Sequence, residues 1–414
     1  MHTRWIKTSV AWLLAWQMAG AATPAAAQPP APAQAQWATS WMAAPEPTWG
    51  PDYVLPLGMP ETLRDVTLRQ SLRLAVGGGR LRLVLSNVHG AQPLRLGRVQ
   101  VAAEAGGRFL PVKFGGTDGT VIAAGAQALS DPIDLPVPDG ARLRVDIHLP
   151  ESTRPAGFHW DARERTLLLP GDAVGQAEPQ GGVALDSRAF LAAVLVPAQN
   201  APSTVVTLGD SITDGNGSTP GADSRWPDFL ARRLAPRGVS VLNAGISGNR
   251  LLRGGMGESA LARLQRDVLQ HPGVRAVIVM LGTNDIGWPG GPFAPDEAPP
   301  SLDELTQGMR QLVEQAHLHG VRVTGATVTP FEDALKGTPL EGHYSPAKEA
   351  LRQAFNRWIR ESGTFNAVVD FDRLLRDPQR PARLLARFDS GDHLHPGDAG
   401  YEAMAEAIDL RALH

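Results

Sequence analysis

The feature that most constrains this chain is a change of rhythm at Asn200-Ala-Pro-Ser203. Beyond it, short apolar runs at 204–208, 239–243, 276–281, 322–327 and 367–370 alternate with segments of helical periodicity at 226–234, 259–269, 302–319, 345–362 and 400–410. Such alternation predicts a five-stranded parallel sheet covered by helices on both faces, a three-layer αβα sandwich. In sheets of this kind ligands bind beyond the carboxyl ends of the strands, at the point where strand order reverses. Chemistry is therefore expected just after those runs.

Ahead of the break the pattern is different. From Trp37 to about Val196, short strand-like runs are interrupted by Gly and Pro, and no stretch shows convincing helical periodicity. Residues 71–76 and 80–86 flank Gly77-Gly78-Gly79, which predicts a hairpin with Leu72, Leu74, Leu81, Leu83 and Leu85 facing inward. Runs at 94–102, 142–149 and 189–196 continue the alternation. We expect an all-β sandwich, jelly-roll-like, over 37–198, followed by the α/β domain over 199–414.

The first residues combine a basic start with an apolar stretch from about Val10 to Ala22 and a small-residue exit at Ala25-Ala-Ala27. This is the pattern of a secretory signal peptide over 1–27, cleaved after Ala27, and it predicts a secreted or periplasmic protein. The apolar stretch is shorter than the ~20 residues a spanning helix needs, so no stable membrane anchor is expected after cleavage. Residues 28–36, rich in Pro, Ala and Gln, read as a disordered spacer.

Composition narrows the functions open to such a chain. The formal net charge is −3 and no run of five or six like charges occurs, which disfavours nucleic acid or an anionic membrane as partner. With no cysteine, disulfides, thiolate metal sites and a cysteine nucleophile are all excluded.

Four short segments stand where the strand-end rule expects chemistry. Gly209-Asp210-Ser211 follows the first apolar run, so that the serine enters the next helix. A hydroxyl there is exposed at the sheet edge beside helix N–H groups, although a helix-capping serine has the same address. Asn243 to Asn249 follows the second run, with glycines that let backbone N–H groups approach a ligand. Leu281-Gly-Thr-Asn284-Asp285 closes the most hydrophobic run, and the Asn284 amide can serve a turn or donate into the cleft. In Asp392-His-Leu-His395-Pro396 a carboxylate three residues before a histidine can reach its Nδ1 and leave Nε2 free to take a proton. His393 and His395 have no third ligand cluster nearby to make a metal pair, and His393 reads as structural.

Together and in this order, the blocks resemble those of the GDSL or SGNH esterases and lipases. Gly209-Asp-Ser-Ile212 is similar to the family's first block, with Ile in place of Leu; Gly248, Asn284 and the Asp392/His395 pair match the others. The resemblance covers about 203–410 and implies a flavodoxin-like SGNH hydrolase fold. It also implies a serine esterase in which Ser211 is nucleophile, His395 base and Asp392 its orienting carboxylate. The oxyanion hole would comprise Ser211, Gly248 and Asn284. The fifth residue of the nucleophile block is Thr213, not the glycine of an α/β-hydrolase elbow.

No cofactor or metal is required by this chemistry. O-acetylated carbohydrate, including acetylated polysaccharide, is the favoured substrate; lipid or aryl esters, an acyltransferase, and a non-catalytic carbohydrate-binding protein are the alternatives. Paired carboxylates at Asp210, Asp214 and Asp285 could suggest a glycosidase, but such residues in turns commonly bond their own backbone. Trp288 and Ile286, directly after Asn284, are candidate substrate contacts; Trp160 and Trp226 could stack on sugars, though a core position is the commoner fate of a tryptophan. The loop 289–300 is expected to border the cleft.

Overall fold

Val274–Met280 shows how the apolar runs become a two-sided sheet. Ala276, Ile278 and Met280 face one helical layer while Val277 and Val279 face the other, and all five are inaccessible to solvent. The other runs form Thr204–Gly209, Ser240–Gly245, Arg322–Ala326 and Ala367–Val369. All pair in parallel in the order Ser240–Gly245, Thr204–Gly209, Val274–Met280, Arg322–Ala326, Ala367–Val369. Strand order thus reverses at Thr204–Gly209, the strand that leads into Ser211.

The computed structural model describes residues 36–104, 106–198 and 203–413. The expected signal peptide and all but the last residue of the expected spacer lie outside them. Residues Gln36–His414 form one unit. Helices Leu302–Leu318 and Pro346–Glu361, with Ala260–Leu264 and its π-helical continuation Gln265–Leu269, cover one face of the sheet. Trp226–Leu234, Phe371–Leu375 and Asp398–Glu406 cover the other. Their starts are locally encoded: Ser301 and Glu304 cap each other's backbone, and Ser345 caps a helix opened by Pro346. Among the described residues no helix is long and apolar enough to cross a membrane.

The N-terminal region is antiparallel β throughout. One sheet runs in the order Val183–Leu185, Thr166–Pro170, Val66–Arg73, Arg142–Leu149, Val99–Ala103, Leu110–Val112. A second runs Trp37–Met42, Leu191–Pro197, Arg82–Ser86, Gln127–Leu129. Both line a single apolar core, which makes the region a sandwich.

The expected hairpin around Gly77–Gly79 does not form. Val66–Arg73 pairs with Arg142–Leu149 in the first sheet, whereas Arg82–Ser86 pairs with Leu191–Pro197 in the second. The five leucines do point into the core. Alternation thus reports which face is buried and is silent on which strand lies alongside. Gly77 passes so close to the Val137 carbonyl that a Cβ would lie 2.2 Å from it, which fits a crossing between sheets. The run 94–102 likewise breaks at Gly97 into Leu94–Leu96 and Val99–Ala103, which belong to different sheets.

The two regions share a seam. The Ser240 hydroxyl donates to the Thr39 carbonyl at 2.7 Å, and Met42, Ala44 and Ala193 of the β region are buried in the α/β core.

Candidate active site

The site grows from the carboxyl end of Thr204–Gly209. Gly209 is required there, since a Cβ would meet the Thr213 hydroxyl at 2.0 Å. Asp210 caps the short helix Ser211–Asp214 by accepting from the Ile212 N–H at 3.0 Å, so Ser211 opens the helix. Burial pushes the Asp210 carboxyl up to about 7, against the hydrogen bond from Ile212.

Ser211 Oγ lies 2.8 Å from His395 Nε2, and His395 Nδ1 lies 2.6 Å from Asp392 Oδ2. The other Asp392 oxygen accepts from the N–H groups of Leu394 and His395, at 2.9 and 2.8 Å. Burial alone would raise the Asp392 carboxyl. The neighbouring His395 and these N–H donors outweigh it and hold the group well below the usual carboxylate range. Asp392 is therefore an ionised acceptor for Nδ1–H. His393, between them, adopts φ +63 and is held by Asp389 and Arg383, which supports its reading as a structural residue. Among the described residues no group of three or more His, Asp or Glu could hold a metal ion.

Gly248 and Asn284 stand at the ends of the two strands that flank Thr204–Gly209. Gly248 adopts φ +73, and a Cβ there would lie 2.4 Å from Met256 Sδ and 2.7 Å from the Trp288 ring. Asn284, buried in the short helix Thr283–Gly287, donates one amide hydrogen to the Asn249 carbonyl at 3.0 Å. A primary amide carries a second.

Behind the site lies Arg263, fully buried, whose role the sequence did not disclose. Its guanidinium donates to the carbonyls of Gly209 and Ala244 and to Asn249 Oδ1, tying together the ends of two strands and the Gly248 turn. A helical arginine inside an amphipathic pattern reads as surface; only the tertiary fold reveals its acceptors.

Asp214 departs from the expectation that these carboxylates bond their own backbone, and Asp285 bonds its own N–H but also reaches beyond it. Asp285 accepts from the N–H groups of Leu251 and Leu252, beyond the Gly248 turn. Asp214 accepts from the Ser247 N–H and hydroxyl, at 3.1 and 2.9 Å, and from His159 Nε2 at 3.0 Å. His159 comes from the β region.

Trp288 and Ile286 are not open to a substrate. Ile286 is inaccessible and packs in the α/β core, while Trp288 stacks on Phe293 at 4.6 Å and lies under the Arg250 guanidinium. Apolar burial won over exposure because the 289–300 loop folds back, with Phe293 on the indole. Trp226 is fully buried, whereas Trp160 is half-buried and donates through Nε1 to the Pro56 carbonyl.

Residues 207–403 match the model of the GDSL-like lipase/acylhydrolase family. No curated protein matches the chain. Among solved structures, the chain is similar to a GDSL-like lipase from Bacteroides thetaiotaomicron VPI-5482, with 20% identity over 52% of this chain and 92% of that one and a TM-score of 0.38. It is also similar to the aryl esterase of M. smegmatis, with 18% identity over 51% of this chain and all of that one and a TM-score of 0.40. Residues 207–403 thus form a GDSL-like lipase/acylhydrolase domain, which makes the protein a carboxylic-ester hydrolase.

Proposed function

We propose that the protein is a secreted or periplasmic serine esterase that hydrolyses short-chain or O-acetyl esters of carbohydrates through an acyl-enzyme. The observation that carries the catalytic reading is the continuous line from Ser211 Oγ to His395 Nε2, and from His395 Nδ1 to Asp392, at 2.8 and 2.6 Å. Ser211 attacks the ester carbonyl as His395 takes its proton; Asp392 fixes the tautomer and stabilises the imidazolium. The alcohol leaves with that proton. Water, deprotonated by His395, then releases the acid. The oxyanion is met by the N–H groups of Ser211 and Gly248 and by the free hydrogen of the Asn284 amide.

The carbohydrate reading is supported by a half-buried aromatic group beside this line. Trp49 lies 6.1 Å from Trp160, and Tyr53 lies 6.4 Å from Phe293. Trp160 adjoins His159 and Asp161, which bond Asp214 and Asn216, while Phe293 stacks on the Trp288 that abuts Gly248. Such rings suit a sugar or an aryl group. Export is proposed from the pattern of the first 27 residues.

The test is a panel of p-nitrophenyl esters from acetate to long chains, run on wild type and Ser211→Ala. Short-chain preference together with release of acetate from acetylated polysaccharide supports the reading. Long-chain preference makes the enzyme a lipase, and a new ester formed with a polyol acceptor makes it a transferase. Activity surviving in Ser211→Ala refutes the mechanism.

A further inference from the structure

We propose that the β region supplies a positioning residue for this reaction: His159, acting through Asp214, fixes the Ser247–Gly248 turn that receives the oxyanion. The inference rests on the serine-esterase reading above.

His159 ends the strand Gly157–His159, which pairs with Glu46–Pro47 on one side and Arg188–Ala189 on the other. Its side chain is buried, with Nδ1 3.0 Å from the Ala44 carbonyl and Nε2 3.0 Å from Asp214 Oδ1. A carbonyl can only accept. Asp214 itself accepts from the N–H and hydroxyl of Ser247. The adjacent Asp214 favours hydrogen on both ring nitrogens of His159, which then donate to the Ala44 carbonyl and to Asp214. Burial opposes the charge, but the adjacent Asp214 raises the histidine to about 9. The neighbouring Glu46, 3.6 Å from Nδ1, is pushed by burial to about 8, so at neutral pH it leaves Asp214 as the partner charge.

A buried ion pair contributes little net stability compared with apolar packing, but it fixes orientation. What it orients here is specific. Asp214 ends the helical turn begun by Ser211, and Ser247 immediately precedes Gly248. The two turns touch: a Cβ on Gly245 would lie 2.2 Å from the Asp214 nitrogen. One carboxylate thus couples the turn bearing the nucleophile to the turn bearing a proposed oxyanion donor, and His159 holds that carboxylate from behind.

The same segment steadies the other side of the site. Asp161 accepts from the Asn216 amide at 3.0 Å and Arg163 donates to the Ser218 carbonyl. Between them, Gly217 lies so close to His395 that a Cβ would be 3.0 Å from the histidine's own. Residues 157–163 therefore grip both the oxyanion side and the His395 side. A one-ångström displacement of such groups is enough to cost about a hundredfold in rate.

The experiment uses the full chain with His159→Leu and His159→Gln, assayed on p-nitrophenyl acetate beside Ser211→Ala. In His159→Leu kcat should fall about tenfold or more while KM changes less than about twofold. His159→Gln should recover much of the loss, because its amide can still donate to Asp214. Combined with Asn284→Ala, the effect of His159→Leu should be smaller than the product of the single losses, since both act on one oxyanion. A folded His159→Leu with wild-type kcat, or a loss confined to KM, overturns the inference. If His159→Leu fails to fold, Ser247→Ala decides: wild-type kcat in that variant overturns it. Activity persisting in Ser211→Ala would instead bring down the serine-esterase reading, so the two failures are distinct.

Discussion

The β region and the α/β region use buried charge differently. Inside the β sandwich, Arg69 and Asp146 face each other across neighbouring strands in a two-pronged pair at 2.8 and 2.7 Å, which fixes strand register and, through the Gln176 carbonyl and the Gly175 N–H, holds a turn of the same region. At the border of the α/β region, His159, Asp214, Asp285 and Arg263 instead bond the turns at the strand ends, where Ser211, Gly248 and Asn284 stand. The α/β region owns the residues proposed to react. The β region, through its seam and its 157–163 segment, helps set where those residues are. An appended binding module would leave the catalytic core closed without it; here Met42, Ala44 and Ala193 complete that core.

The sharpest break of this division of labour is at the nucleophile. Ser211→Ala should lower kcat on p-nitrophenyl acetate by about 10⁴-fold or more while both regions unfold as in wild type. Residual activity near wild type would mean that the reacting group lies elsewhere, the β region included. Next in size is Asn284→Ala, which should keep the fold by circular dichroism and lose on the order of a hundredfold in kcat, the loss of about 2.7 to 4 kcal/mol that removal of one oxyanion donor brings. An unchanged kcat there would remove Asn284 from the hole.

How much of this was legible depended on how far apart partners lie in sequence. Asp392 and His395 are three residues apart on one loop, so their pairing could be read from spacing. The segments that hold Ser211, Gly248 and Asn284 could be read because a parallel sheet puts strand ends side by side, and the family resemblance singled out these residues within them. The partner of Asp214 could not: His159 lies 55 residues away in a region of different architecture, flanked by Phe158 and Trp160 like any core residue. Trp288 failed as a substrate contact for a related reason, since composition marked 289–300 as a loop but not that Phe293 would fold onto the indole. The hairpin at Gly77–Gly79 failed because strand alternation fixes a face and not a neighbour.

A smaller effect is expected where the seam is apolar. Met42 is buried among Val206, Leu208 and Leu242 in the α/β core though it ends the first strand of the β region. Met42→Ala should cost about 3 kcal/mol in urea unfolding, as a cavity opens that neither region can fill. A single transition that moves as a whole would show the regions unfolding together. Two separated transitions would show that the seam is not shared structure, and would weaken the contrast drawn above.

The smallest effect tests the seam through protonation. His271, on the turn before Val274–Met280, lies with Nδ1 3.2 Å from the Thr39 hydroxyl of the β region. Burial lowers its pKa from 6.5 to about 4, against the pull of the Asp267 charge. The folded chain therefore holds the ring neutral where the unfolded chain takes up a proton. Stability from this group is whole above the unfolded value of 6.5 and is lost as pH falls toward the folded value of about 4. Between about pH 7 and about pH 5 the loss amounts to about 2 kcal/mol. His271→Gln should flatten the pH dependence of urea unfolding by that amount while leaving kcat alone, because the residue lies at the amino end of its strand and the reacting groups lie at the carboxyl ends. An undiminished slope in the variant would place the acid sensitivity elsewhere. A changed kcat would mean that the seam, and not only the 157–163 segment, reaches the site.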